Sequence, residues 1–67
     1  MAVIKVLEIM SSSKKSWEDA TAAGIKKVSN SVQDIKSAYV QSQSVVIGDE
    51  GEISEYRVNL KISFQVN

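Results

Sequence analysis

The stretch Y-R-V-N-L-K-I-S-F-Q-V-N, residues 56–67, decides the fold. Apolar or aromatic side chains occupy every even position from 56 to 66, and polar or charged side chains occupy every odd position from 57 to 67. A period of two places the first set on one side of an extended chain and the second set on the other. Residues 54–66 are therefore predicted to form a long strand with one buried face and one wet face.

The two segments before this strand indicate a hairpin. The tetrapeptide Gly48-Asp49-Glu50-Gly51 combines two glycines with two acids, which is typical of a loop of about four residues between antiparallel strands. Residues 35–47 end in a β-branched run at 45–47 and predict the preceding strand. The middle of that strand, residues 41–44, is unusually polar.

The segment that begins at Ser16 has helical periodicity. Apolar or small side chains recur at spacings of three and four on one predicted face: Trp17, Ala20, Thr21, Gly24, Ile25, Val28 and Val32. Ser16 can cap the first turn, and Asp19 completes a capping-box-like S-x-x-D. Because Gly24 costs about 1 kcal/mol relative to Ala inside a helix, we expect close packing of this face against a strand. We expect the helix to end within residues 31–34, where Asp34 either terminates it or serves as a cation ligand.

Residues 2–10 predict the first strand, because they are rich in β-branched and aliphatic side chains. The serines at 11–13 are expected to form the loop that closes it. The predicted order is β-α-β-β, an α+β fold in which an antiparallel sheet packs on one amphipathic helix. We expect a single domain over residues 1–67.

The composition excludes most routes to catalysis. The chain has 67 residues, with no Cys, His or Pro. It therefore has no Ser–His or Cys–His pair, no imidazole base, no disulfide and no thiolate metal site. The formal net charge of +0 argues against nucleic acid, and no apolar run approaches the ~20 residues that span a bilayer. We expect a non-enzymatic, soluble, cytoplasmic protein that binds neither nucleic acid nor a membrane.

The length of the chain predicts self-association. A domain of this size buries only about 60 % of its unfolded surface, and its core supplies no more than roughly 3–5 kcal/mol. A strand over residues 54–66 would run about 40 Å, whereas a compact globule of this size is only about 28 Å across. The hairpin must overhang the helix, and its open edges and apolar positions need cover. We expect a closed homo-oligomer.

The chain resembles the dodecin family along nearly its whole length. Four segments carry the resemblance: K-V-L-E-I at 5–9, S-W-E at 16–18, V-Q-D-I at 32–35 and E-Y-R-V-N-L-K-I-S-F at 55–64. The resemblance implies small β-α-β-β subunits whose three-stranded antiparallel sheet wraps one helix. It further implies that twelve copies form a hollow sphere, which commonly binds and stores flavins such as riboflavin or FMN.

Two residues depart from the flavin-binding members. The resemblance places Ser37 where those members have a Trp that stacks on the flavin ring. It places Arg57, directly after Tyr56, where they have a Gln that hydrogen-bonds the polar edge of the flavin. Trp17, the only Trp of the chain, lies in the first helical turn and is expected to plug the sheet or contact another subunit. The resemblance therefore implies that flavin binding is weak or lost.

These departures look most like the calcium-binding branch of the family, which implies a cation role in place of flavin. Calcium takes six to eight oxygen ligands, and the best cluster of the chain is Asp49, Glu50 and Glu52. The alternative is that these acids belong to a solvated hairpin tip, because turns favour Asp and charges keep strand edges soluble. One chain offers too few ligands, so a site would need several subunits.

Alternatives remain open for two residues and for the function. Tyr39 lies two positions after Ser37 and on the same strand face, so it either packs or partly replaces the missing ring. Arg57 either pairs with an acid across the sheet or an interface, or receives an anionic group such as a phosphate. The function is therefore storage of a small molecule or ion in a homododecamer, a flavin store with substitute contacts, or a ligand-free structural assembly.

Overall fold

The computed structural model describes residues 2–67 and has the order β1 (Val3–Ser13), α1 (Trp17–Ser29), β2 (Ile35–Ile47) and β3 (Ile53–Val66). The strands form an antiparallel sheet in the order β1-β3-β2, so β3 lies in the centre. The predicted β-α-β-β fold, with a three-stranded antiparallel sheet against one helix, is confirmed. Helix α1 is too short and too polar to cross a membrane, and residues 2–67 contain no other helix that could.

The core lies between α1 and the centre of β3. Ala20 of the helix and three alternate residues of β3, namely Val58, Leu60 and Ile62, are buried to 1 % exposure or less. Partly buried side chains from β1, α1 and β2 surround them: Ile9, Trp17, Ile25, Val28, Ile35 and Ala38. The alternation predicted for β3 is confirmed at these positions, because the even-numbered residues face the helix.

The N-terminus of α1 forms as predicted, with one difference. The Ser16 hydroxyl accepts a hydrogen bond from the Asp19 amide at 2.9 Å. The Asp19 carboxylate accepts from the Ser13 hydroxyl at 2.6 Å, so it binds the end of β1 and does not complete a capping box.

The predicted close approach of Gly24 is also present. A Cβ at this position would lie 2.9 Å from the Ser11 Cβ and 3.3 Å from the Ile9 Cδ1. The helix backbone therefore rests directly on β1, and any side chain at 24 would push the two elements apart.

Two predicted boundaries are wrong. The serines 11–13 continue β1 and do not form a loop, because they pair with residues 56–58 of the central strand. The helix ends at Ser29 and not within 31–34, with Asn30 as its C-cap. Asp34 therefore does not terminate the helix; it lies just before β2 with a left-handed φ of 61°.

The β2–β3 hairpin is close to its prediction. Strand β2 has the predicted bounds, β3 begins one residue earlier than predicted, and the loop has five residues, 48–52, where about four were expected. The Gly48 amide donates to the Glu52 carbonyl at 2.7 Å, and a Cβ at 48 would overlap the Glu52 carboxylate. Gly51 has a φ of 84°, a conformation that favours glycine.

The molecule is elongated, which confirms the predicted overhang. Its principal extents are 52 × 20 × 14 Å and its radius of gyration is 13.7 Å, whereas a compact chain of this length has about 11 Å. The 13 residues of α1 cover only about 20 Å, and the 14 residues of β3 run about 46 Å. Both ends of the sheet therefore extend past the helix.

Candidate functional site

The side of the sheet that faces away from α1, here called the outer face, carries the residues that the sequence analysis connected with flavin: Ser37, Tyr39 and Arg57. Its centre is the odd-numbered half of β3, which consists of Arg57, Asn59, Lys61 and Ser63. Because directly paired residues of antiparallel strands point to the same side, the register adds Ser37, Tyr39, Ser42 and Ser44 from β2. It likewise adds Val6, Glu8, Met10 and Ser12 from β1.

Ser37 pairs with Ser63 at one end of the outer face. Their two hydroxyls share a short hydrogen bond, so the Ser37 side chain is directed to its neighbour on β3. Position 37 thus offers a hydroxyl already bonded within the sheet and no ring surface on which a flavin could stack.

Tyr39 lies opposite Lys61 and is 67 % exposed. It is on the same face as Ser37, as the period of two predicted. Its ring is the largest exposed aromatic surface of the outer face, and it does not pack into the core.

Arg57 lies far from these two residues. Its strand partners are Ser12 on β1 and Ser44 on β2, and six positions along β3 separate it from Ser63. At ~3.3 Å per residue this separation is about 20 Å. The structure therefore does not bring Ser37 and Arg57 together within one chain, and a ligand that touched both would need a second subunit. The register also gives Arg57 no acid across the sheet within residues 2–67.

A polar depression of about 290 Å³ in the outer face was missed by the sequence analysis. It is lined by Glu8, Ile9, Met10, Gln41, Asn59 and Leu60. It lies beside a register shift of β2 between Val40 and Ser42, and such bulges re-aim side chains. The Asn59 amide donates to the Ser42 hydroxyl at 2.9 Å, and the Glu8 carboxylate lies 3.8 Å from the Lys61 ammonium. The unusually polar residues 41–44 were the signal that could have indicated it.

The hairpin acids lie at the far tip of the molecule. Asp49, Glu50 and Glu52 are exposed, and the Glu52 carboxylate accepts a hydrogen bond from the Glu50 amide at 3.0 Å. Glu52 therefore orders the loop, whereas the carboxylates of Asp49 and Glu50 are open to solvent. No group of three acidic side chains in residues 2–67 is placed to hold a metal ion, so the tip of one chain supplies only part of a coordination sphere.

Two further predicted residues have structural contacts. The Trp17 indole donates to the Ser44 carbonyl at 3.0 Å and packs edge-on against the Tyr56 ring, with centroids 5.2 Å apart. It lies on the helix side of the sheet and plugs that end of the core. The Asp34 carboxylate accepts a hydrogen bond from the side-chain amide of Asn67. The backbone carbonyl of Asp34 accepts one from the backbone N–H of Gln65 at 3.0 Å.

The sequence and the fold both match known proteins. The sequence model of the family described as Dodecin matches residues 3–67. Calcium dodecin of Mycobacterium tuberculosis is 38 % identical over 66 residues, which are 98 % of this chain and 92 % of that protein.

Solved structures of other proteins share the fold. The calcium-chelating immunodominant antigen of Mycobacterium tuberculosis, a calcium dodecin with a novel calcium-binding site, superposes with a TM-score of 0.85 at 37 % identity and covers 97 % of this chain and 91 % of that one. A mutant dodecin of Thermus thermophilus superposes with a TM-score of 0.92 at 24 % identity, over 100 % of this chain and 98 % of that chain. The second likeness concerns the fold alone.

Proposed function

The chain belongs to the dodecin family, and from that premise we propose that it is a non-enzymatic cytoplasmic binding protein that assembles into a hollow homododecamer. We propose that it holds calcium or another small ligand at surfaces shared between subunits, and that flavin binding is weak or lost. The observation that carries the proposal is the outer face. Position 37 holds a serine bonded to Ser63, and Arg57 lies about 20 Å away along β3.

Exposed surface supports the assembly. The chain exposes 4940 Å², whereas a folded monomer of 7.3 kDa exposes about 4,200 Å² by the usual scaling. The excess of roughly 750 Å² is close to the ~800 Å² that one partner buries in a standard interface. Large exposed apolar side chains supply this surface: Val3, Ile4, Val6, Leu7, Met10, Tyr39, Val40, Ile47, Ile53 and Val66.

The similarity to a calcium dodecin and the chemistry of the tip residues support calcium binding. The 38 % identical relative is named a calcium dodecin, and calcium accepts carboxylates, carbonyls and water as ligands. Asp49 and Glu50 present carboxylates to solvent at the hairpin tip. We propose that the hairpin tip of one subunit meets either the tip or the outer face of another subunit, and that the two together complete the coordination sphere. Glu52 would be the third acid of the tip to contribute, and it also orders the loop.

The flavin part of the proposal is tested by titrating riboflavin with protein whose assembly mass has been measured. We expect a colourless protein that does not quench riboflavin fluorescence. Strong quenching that survives washing would contradict the loss of flavin binding. It would favour the alternative in which the exposed Tyr39 ring takes the place of the missing Trp.

The assignment of positions 37 and 57 has its own test. The double substitution Ser37→Trp with Arg57→Gln should restore flavin binding, because it returns both the stacking ring and the amide. The double substitution Ser37→Leu with Arg57→Gln is the control for added bulk without a ring that can stack. A Ser37→Trp, Arg57→Gln protein that still assembles and does not quench flavin would contradict the assignment.

The calcium part is tested by thermal unfolding with and without EDTA. A ligand at about a hundred times its Kd stabilises a protein by about 2.7 kcal/mol, which corresponds to about 10 °C or more for a chain of this size. We expect calcium, added after EDTA, to restore that shift. Asp49→Asn with Glu50→Gln should abolish it, whereas Glu18→Gln, an exposed acid of α1, should not. No change on adding EDTA would contradict calcium binding and favour a ligand-free assembly.

A further inference from the structure

Arg57 places a positive charge on the outer face. It lies in the central strand, where β1 and β2 fix its backbone from both sides. Its side chain is exposed. Within residues 2–67, the described ion pair joins Glu8 to Lys61, and no carboxylate lies within 4.0 Å of the Arg57 guanidinium. The fork is therefore free to bind an anion from outside the chain.

Two small hydroxyl side chains flank Arg57. Ser12 and Ser44 are its direct partners on the two neighbouring strands, and strands lie ~4.8 Å apart. Neither hydroxyl hydrogen-bonds to another side chain or backbone group in the described part of the chain, 2–67. Because both neighbours are small, the Arg57 stem can bend over either of them. The guanidinium and one serine hydroxyl could then bind the same anionic group of a ligand.

The charges on this part of the outer face favour an anion. Asn59 and Lys61 follow Arg57 along the same side of β3, where the Asn59 amide donates to the Ser42 hydroxyl and the Lys61 ammonium lies beside Glu8. The nearest acids on that side are Glu55, two positions before Arg57 and partly buried, and Glu8, which lies beside Lys61. Within the outer face of residues 2–67, the charge of Arg57 is therefore the one left without an acidic partner.

We propose that Arg57, with Ser12 or Ser44, forms a binding site for a phosphoryl group, either inorganic phosphate or a phosphate monoester. A guanidinium presents two parallel N–H groups that match two oxygens of a phosphoryl group, and the serine hydroxyl donates to a third oxygen. The site is separate from the calcium ligands proposed at the hairpin tip and does not depend on them.

The chain contains its own reporter for this site. The single Trp of the chain, Trp17, donates its indole N–H to the Ser44 carbonyl at 3.0 Å, directly behind one of the flanking serines. A ligand that shifts Ser44 should change the fluorescence of Trp17. Calorimetry measures the same binding without relying on that change.

The experiment is a titration of the assembled protein with inorganic phosphate, and separately with glycerol phosphate, in the presence of EDTA. We expect saturable heat, and a Trp17 fluorescence change, with a Kd that Arg57→Gln raises at least about tenfold, the size expected for lost hydrogen bonds to a charged group. Arg57→Lys keeps the charge but not the fork, so it should raise the Kd by less. Ser12→Ala with Ser44→Ala tests the hydroxyls and should weaken binding with Arg57 intact.

Lys26→Gln is the matched control, because it makes the same change of net charge at an exposed position of α1. Binding of both ligands shows that the phosphoryl group itself is recognised, and binding of glycerol phosphate alone supports the same site with an ester as its ligand. The proposal would be overturned if neither inorganic phosphate nor glycerol phosphate showed saturable binding at millimolar concentration. It would also be overturned if an Arg57→Gln protein with the assembly mass of the wild type bound these ligands as tightly as the wild type does. Since EDTA is present throughout, a failure of the calcium proposal leaves this result unaffected.

Discussion

The middle of the sheet and its two ends follow the same sequence pattern but differ in burial. Under α1, Val58, Leu60 and Ile62 are exposed by 1 % or less. On the same strand and the same side, Val66 is 43 % exposed, and Ile47 at the hairpin end of β2 is 56 % exposed. Alternation decides which side a residue faces, whereas the length of the helix decides whether that side is covered.

The difference has a simple physical origin. The helix rises ~1.5 Å per residue and the strand ~3.3 Å, so a helix of 13 residues cannot cover a strand of 14. A single chain therefore completes a core only in the middle of the sheet. The ends keep the apolar surface that an assembly would bury, and the following substitutions test this division.

The largest effect is expected from Leu60→Ala in the middle of the sheet. Leu60 is fully buried, and removing such a side chain costs about 2–5 kcal/mol. Denaturant unfolding should show this loss. Val66→Ala, on the same side of β3 at its exposed end, is the matched control and should cost clearly less. Equal losses would contradict the difference between the middle and the ends.

Gly24→Ala should destabilise the contact between helix and β1. The new Cβ would lie 2.9 Å from the Ser11 Cβ, and overpacking of this kind costs about 1–3 kcal/mol, partly offset by the ~1 kcal/mol that Ala gains in a helix. Thermal unfolding should therefore show a lower Tm. Ala23→Gly, at the neighbouring exposed position, is the control, because it changes the helix propensity alone. A Gly24→Ala protein more stable than the wild type would argue against the close approach of helix and strand.

Ser16→Ala should cost about 1 kcal/mol through the lost helix cap. The hydroxyl accepts from the Asp19 amide, and no larger packing change accompanies its removal. Ser29→Ala, in the last turn of α1, is the control, and circular dichroism during thermal unfolding compares the two. A loss as small as that of Ser29→Ala would mean that the cap contributes little.

The smallest effect on the fold, and the sharpest test of the ends, is expected from Ile47→Lys. Ile47 is 56 % exposed, so the free energy of unfolding of the single chain should change by no more than about 0.5 kcal/mol. The charge should nevertheless lower the assembly mass measured by light scattering. Ala23→Lys adds the same charge on the exposed side of α1. Dissociation by Ala23→Lys and not by Ile47→Lys would place the contacts on the helix instead of the ends.

The candidate site was predictable only in part. The period of two placed Ser37 and Tyr39 on one face, and the register confirms it. The separation of about 20 Å between Ser37 and Arg57 follows from strand pairing, which no local pattern encodes. The depression beside Gln41 depends on a bulge in β2, and the polar residues 41–44 indicated that this stretch was unusual without showing how it pairs. Whether these residues bind a ligand stays a prediction.

The sequence by itself determined the order β-α-β-β, the bounds of β2, the cap at Ser16 and the buried side of β3, because each depends on local spacing or a local hydrogen bond. Only the tertiary structure decided that the serines 11–13 extend β1, since their strand conformation comes from pairing with residues 56–58. It also decided where α1 ends, because the chain must turn at 30–34 to bring β2 alongside β3. Contacts between residues distant in sequence set those features, and a local sequence pattern does not predict such contacts.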